Sequence, residues 1–184
     1  VIEYMMRKVR TEKDEFDRGL QKYHAVRSVF TNLSNKVFSH IGMDAVRSET
    51  RRTRDAMGGA TISRDLRTAM QEFFETLRGK LRNSATDISE ISNMLDAMYK
   101  RFAVEHGLKL APPNSFSTMR YERDILRLEN AFNEEINTLA SMVTHTKGTL
   151  TQRFFETVAL EARKTFEIAN RDVEQWLRVV MSPL

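Results

Sequence analysis

Leu66, Met70, Phe73, Leu77, Leu81, Ser84, Ile88, Ile91, Leu95, Met98 and Phe102 follow one another at steps of 4, 3, 4, 4, 3, 4, 3, 4, 3 and 4 residues. A side chain that recurs every three or four residues stays on one face of an α-helix, whereas a half-buried strand needs strict alternation. The segment is therefore expected to be one helix whose seam is about 54 Å long at about 1.5 Å per residue. No small globular core requires so long a rod, so an elongated all-α bundle is the expected fold. Gly79 and the polar run Asn83-Ser-Ala-Thr-Asp87 are its weakest points, because glycine costs about 1 kcal/mol against alanine inside a helix.

The same period organises the rest of the chain. Met6, Val9, Phe16, Leu20, Tyr23, Val26, Phe30, Leu33, Val37 and Ile41 form one stripe, with Lys13 filling the polar step between Val9 and Phe16. This predicts a first helix over roughly 2–56, ended by the backbone freedom of Gly58-Gly59. A second helix is predicted over 64–106, with Ser63 as N-cap, Asp65 in the first turn and Gly107 as terminator. Ala111-Pro-Pro-Asn-Ser115 then makes a loop. A third stripe, Tyr121, Ile125, Leu128, Phe132, Ile136, Leu139 and Val143, predicts a helix over 117–146. A fourth, Leu150, Phe154, Val158, Ala162, Phe166, Ala169, Val173, Trp176 and Val180, predicts 149–181. Thr149 and Gln152 have capping-box spacing, so the expected antiparallel bundle has three long helices with the third possibly broken into two near Gly148. The pairs Phe73-Phe74 and Phe154-Phe155 each place one ring off the main stripe, where it could meet another helix or a partner.

Composition fits few and long elements: 29% of the residues are charged, and only 7 glycines and 3 prolines are present among 184 residues. Without cysteine there is no disulfide framework and no thiolate chemistry, which suits a reducing compartment. A cytoplasmic location, free or peripheral to a membrane, is expected. Val1 as first residue and a helical pattern running almost to Leu184 suggest a fragment of a larger protein.

Catalytic signatures are not found. His24, His40, His106 and His145 are far apart, and none completes a Glu-x-x-His or His-Glu-x-x-His pattern, so neither a metal nor another cofactor is expected. Thr146-Lys-Gly-Thr149 lacks the glycine frame of a phosphate-binding loop, and no glycine-flanked serine forms a nucleophile elbow. The chain is expected to be a non-enzyme. Charge offers one positive sign: residues 1–57 carry 12 Lys/Arg against 8 Asp/Glu, while the remainder is balanced at 17 each. Arg47, Arg51, Arg52 and Arg54 are the densest cations and a candidate contact for phosphates of lipid or nucleic acid. The plainer reading is a solvated helix end or inter-helix loop. Interleaved aromatics, which single-strand binding surfaces use, are absent there.

Phe73-Phe-Glu-Thr-Leu-Arg-Gly-Lys-Leu81 and Ile168-Ala-Asn-Arg-Asp-Val-Glu-Gln-Trp-Leu-Arg-Val-Val-Met-Ser-Pro-Leu184 resemble the helical region downstream of the GTPase domain in bacterial dynamin-family proteins. The resemblance implies a stalk that acts as lever and self-assembly surface in a membrane-remodelling GTPase, with partners in a second copy, the rest of the parent chain, or an anionic membrane surface. Since the chain has no nucleotide-binding motif, no catalytic residue carries over. The alternative class is a nucleic-acid-binding or scaffold bundle that uses the Arg47 to Arg54 cluster.

Overall fold

Gly42 divides the first expected helix in two. In the computed structural model, which describes residues 1–61, 63–140 and 147–182, α1 spans Ile2–Ile41 and α2 spans Met43–Gly59. At Gly42 ψ is 156°, far from the helical value, so the rod bends there while the Gly42 N–H still bonds the Phe38 carbonyl at 2.8 Å. The expected single helix over 2–56 is corrected on this point. α3 spans Ser63–His106 without interruption through Gly79 and Asn83–Asp87, and Gly107 ends it with φ of +64°. Its 44 residues make a rod of about 66 Å. After a loop, α4 spans Met119–Ala140. α5 (Lys147–Arg153), a π-helical segment (Phe154–Ala159) and α6 (Leu160–Met181) together form the last rod.

The described residues thus make four rods and contain no strand. Their directions follow from cross-rod pairs. His40 faces Asp87 and Arg52 faces Glu72, so α1 and α2 run antiparallel to α3. Arg82 with Glu122 and Arg78 with Glu129 make α4 antiparallel to α3. Tyr121 bonds Asp172 and Arg153 pairs with Glu135, so α4 and the last rod also lie side by side in opposite directions. The expected third helix therefore does not run on into the fourth. Gly148 and Thr149 stand inside α5, so the expected capping box does not start the helix at Thr149. Val143 and residues 144–146 of the expected third helix lie outside the described residues, as does the side chain of Leu139.

The core follows the α3 seam. Leu66, Met70, Phe73, Leu77, Leu81, Ile88, Ile91 and Leu95 are buried, joined by Val37, Ile41, Ile125, Phe166 and Val173 from the other rods. Burying such side chains stabilises by about 1.5–3 kcal/mol each. Both rings of Phe73-Phe74 lie in this core, because α3 touches neighbours on more than one side. Phe154 inserts edge-on to Phe73, Phe74 and Phe132, with ring centroids 5.2, 6.1 and 5.4 Å away. At the opposite end, Trp176 stacks near Phe116 and donates its indole N–H to the Asn114 carbonyl at 2.7 Å, which fixes the loop onto α6.

The seam departs from expectation at its last two positions. Tyr99 is buried and donates to the Val180 carbonyl at 2.7 Å, whereas Met98 is half-buried and Phe102 exposed. The larger departure is in α1. Every residue from Val1 to Ala25 is exposed, including Met6 and Val9 of the stripe and Phe16, Leu20 and Tyr23, which are expected to pack against the α3 seam. The helix projects beyond the rods that would have covered it.

Candidate functional site

Three surface features follow from this architecture: the arginine face of α2, the projecting half of α1, and an apolar groove where that projection meets the bundle.

Arg47, Arg51, Arg52 and Arg54 all lie within α2, not at a helix end or in a loop. At 100° per residue, Arg47, Arg51 and Arg54 share one face and Arg52 stands on another. Arg52 bonds Glu49 through Nε at 3.0 Å and reaches Glu72 on α3 at 3.4 Å. The hydrogen bond to Glu49 raises the Arg52 pKa above its ordinary value against the opposing effect of burial. Arg47 pairs with Asp44 at 3.2 Å. The Arg54 guanidinium sits 4.7 Å from the centroid of the Phe155 ring, which is the off-stripe ring of the last rod. Arg51 is exposed. Three of the four arginines thus already have partners, Arg47 within α2 and Arg52 and Arg54 also on neighbouring rods.

The projecting helix carries the stripe Ile2, Met6, Val9, Phe16, Leu20 and Tyr23 in open solvent, with Phe16 69% and Val9 63% exposed. A contiguous exposed apolar row of this kind is the sort of surface that marks interaction sites in proteins. Toward the bundle it leads into a groove of about 620 Å³ lined by Tyr23, Val26, Phe30, Met98, Phe102, Leu177 and Met181. Lys22, Arg27 and Arg178 stand at its edge with one acid, Glu174, which lies 3.8 Å from Arg178. The groove lies where α1, the end of α3 and the end of α6 meet, with Tyr23 and Phe102 still exposed. The sequence reading did not find it, since Met98 and Phe102 were assigned to the core on period alone.

Buried polar groups are few. Asp87 is buried on α3 with His40 Nε2 3.2 Å from its Oδ2, a contact within ion-pair range whose alignment is not that of a hydrogen bond. Tyr121 donates to Asp172, and burial first, then this bond, raises the Tyr121 pKa. Among the described residues no group of three or more His, Asp or Glu side chains is placed to hold a metal ion, and no helix is long and apolar enough to cross a membrane.

The fold and its exposed surfaces define the chain as an all-α helical bundle with a projecting amphipathic helix. No family model, no curated protein and no solved structure matches the chain.

Proposed function

We propose that this chain is a non-catalytic helical interaction module that works as a lever, its contact surface being the projecting half of α1. The observation that carries the reading is that 24 consecutive helical residues, from Ile2 to Ala25, are all exposed and carry an apolar stripe. Most helical stability in proteins comes from packing of an amphipathic face, so an uncovered stripe of this kind favours a partner. Packed rods of this length transmit displacement because each is internally hydrogen-bonded and shares one core with its neighbours. Placement in a larger dynamin-like GTPase, as its stalk, rests on the sequence resemblance alone. A phosphate-binding loop upstream of Val1 in the parent chain supports that placement, and a parent without nucleotide binding overturns it.

The test of the module itself is removal of residues 1–24. The shortened chain is expected to keep its cooperative melt while losing association, measured by light scattering for the chain alone and by co-purification with the remainder of its parent. Collapse of the melt would make the projection a structural element of the bundle and overturn the reading. The alternative, anion binding at Arg47, Arg51, Arg52 and Arg54, is disfavoured by the existing partners of three of them.

A further inference from the structure

We infer that the projecting halves of α1 from two copies of this chain pair as an antiparallel coiled coil, in a register where the positions of facing core residues sum to 29. The inference rests on the interaction-module reading and names its partner. Its basis is that charge and apolar pattern along the exposed helix agree in one arrangement and conflict in the neighbouring ones.

The stripe is a regular heptad. Met6, Lys13, Leu20 and Arg27 occupy a positions, and Ile2, Val9, Phe16 and Tyr23 occupy d positions. The e positions are Glu3, Arg10, Asp17 and His24, and the g positions include Met5, Glu12, Gly19 and Val26. Among the described residues, Arg10 and Asp17 have no ion-pair partner within the chain.

A parallel pair conflicts with this pattern. It sets Lys13 against Lys13 and Arg27 against Arg27 at the core, and it places Glu12 beside Asp17 of the other copy on both sides. An antiparallel pair instead faces a with d, e with e, and g with g. In the register whose core positions sum to 29, Leu20 meets Val9, Met6 meets Tyr23, and the Lys13 stem lies along Phe16 with its ammonium free to reach solvent. The flanking e positions then set Arg10 opposite Asp17 twice and Glu3 opposite His24 twice. Met5 faces Val26 at g.

Moving one heptad either way loses these pairs. One shift brings Arg10 to Arg10 and Glu12 to Glu12. The other brings Asp17 to Asp17 and drives the second copy against Phe30, which is already packed on the bundle. Like charges so placed are destabilising, so the intermediate register is selected.

The favoured register also explains the groove. It carries Ile2 and Met5 of the second copy to Tyr23, Val26 and Arg27, at the mouth of the 620 Å³ groove floored by Met98, Phe102, Leu177 and Met181. The apolar side chains of Ile2 and Met5 would cover the groove's open apolar surface. The two bundles come to lie at opposite ends of one shared rod, with the two-fold axis between residues 14 and 15.

The 184-residue chain tests this by sedimentation equilibrium and by cross-linking. The wild type is expected to be a dimer. Asp17→Arg sets arginine against Arg10 and should weaken the dimer about tenfold or more, and Arg10→Glu combined with Asp17→Arg should restore it. Parallel pairing gives the opposite sign, since Asp17→Arg would then attract Glu12, and a tightened dimer overturns the register. The chain has no native cysteine, so Val9→Cys mixed with Leu20→Cys should oxidise chiefly to the mixed disulfide. A preponderance of Leu20→Cys homodimers also overturns the register. All these positions are exposed, and circular dichroism with an unchanged melt shows that the bundle remains folded. A folded monomer at high concentration overturns the pairing altogether, while retention of the melt on removing residues 1–24 leaves the interaction-module reading standing.

Discussion

The side-chain amide of Asn170 on α6 donates to the backbone carbonyl of Ile41, 2.6 Å away, at the point where Gly42 turns the chain out of helical conformation. A continuous helix would pair that carbonyl with the N–H of Ala45, which instead bonds Gly42 at 3.1 Å. The same amide also donates to the Phe166 carbonyl at 2.7 Å, so it is anchored on its own helix while it satisfies the bend of another. Asn170→Ala is expected to destabilise the chain by about 1–2 kcal/mol, because it leaves a part-buried carbonyl unpaired. Urea denaturation measures this, and a midpoint unchanged from wild type would remove Asn170 from the account of the bend.

Gly42 itself is required for space. Its φ of −58° suits any residue, but a Cβ there would stand 2.3 Å from the Phe38 carbonyl oxygen. Gly42→Ala therefore forces the backbone to move and should cost about 1–3 kcal/mol, read as a lowered melting temperature.

Gly79 is the opposite case. It lies in the interior of α3, and a Cβ added there meets nothing within 4 Å. Gly79→Ala should raise stability by about 0.5–1 kcal/mol through reduced freedom of the unfolded chain. A loss of stability in the same denaturation experiment would contradict the continuous α3.

Phe73 and Phe16 occupy equivalent places in their stripes, yet one is fully buried and the other 69% exposed. Phe73→Asp puts a charge among Phe74 and Phe154 and should cost at least about 4 kcal/mol, a large share of a typical domain's stability. Phe16→Asp should leave the unfolding of the bundle within about 0.5 kcal/mol of wild type at a concentration where the chain is monomeric. Equal losses in the two variants would place the projecting half of α1 in the core.

Alkaline unfolding should report Tyr121. Its pKa is raised from the ordinary 10.0 by burial, and then by the bond to Asp172. The neutral phenol is thus favoured in the folded state, so the contribution to stability is complete below pH 10 and is lost as pH rises above it. Tyr99, raised by burial, acts in the same direction. Tyr121→Phe is expected to lower stability at pH 7 and to flatten its decline above pH 10, measured as denaturation midpoints across pH.

Helical class, the continuity of α3, the turns near Gly58 and Gly107, and nearly every buried position of the last rod were legible from spacing, because burial on one face imposes the 3.6-residue period whatever the neighbours are. Period does not say what covers a stripe. Val9 and Val37 belong to one stripe, but one is 63% exposed and the other buried, and only the lengths of α3 and the last rod against α1 decide where cover ends. The bend at Gly42 was hidden for a related reason: the apolar register continues through Met43 and Val46, and the carbonyl that the bend frees is satisfied by Asn170, 129 residues away. The arginines of α2 were legible as a cluster, but their acids and the Phe155 ring come from other rods. Sequence by itself thus determined the all-helical class, the continuous α3 and the position of each apolar stripe. Tertiary structure decided which faces meet, since contact depends on where rods of unequal length end, and that is how the stripe on half of α1 came to lie exposed.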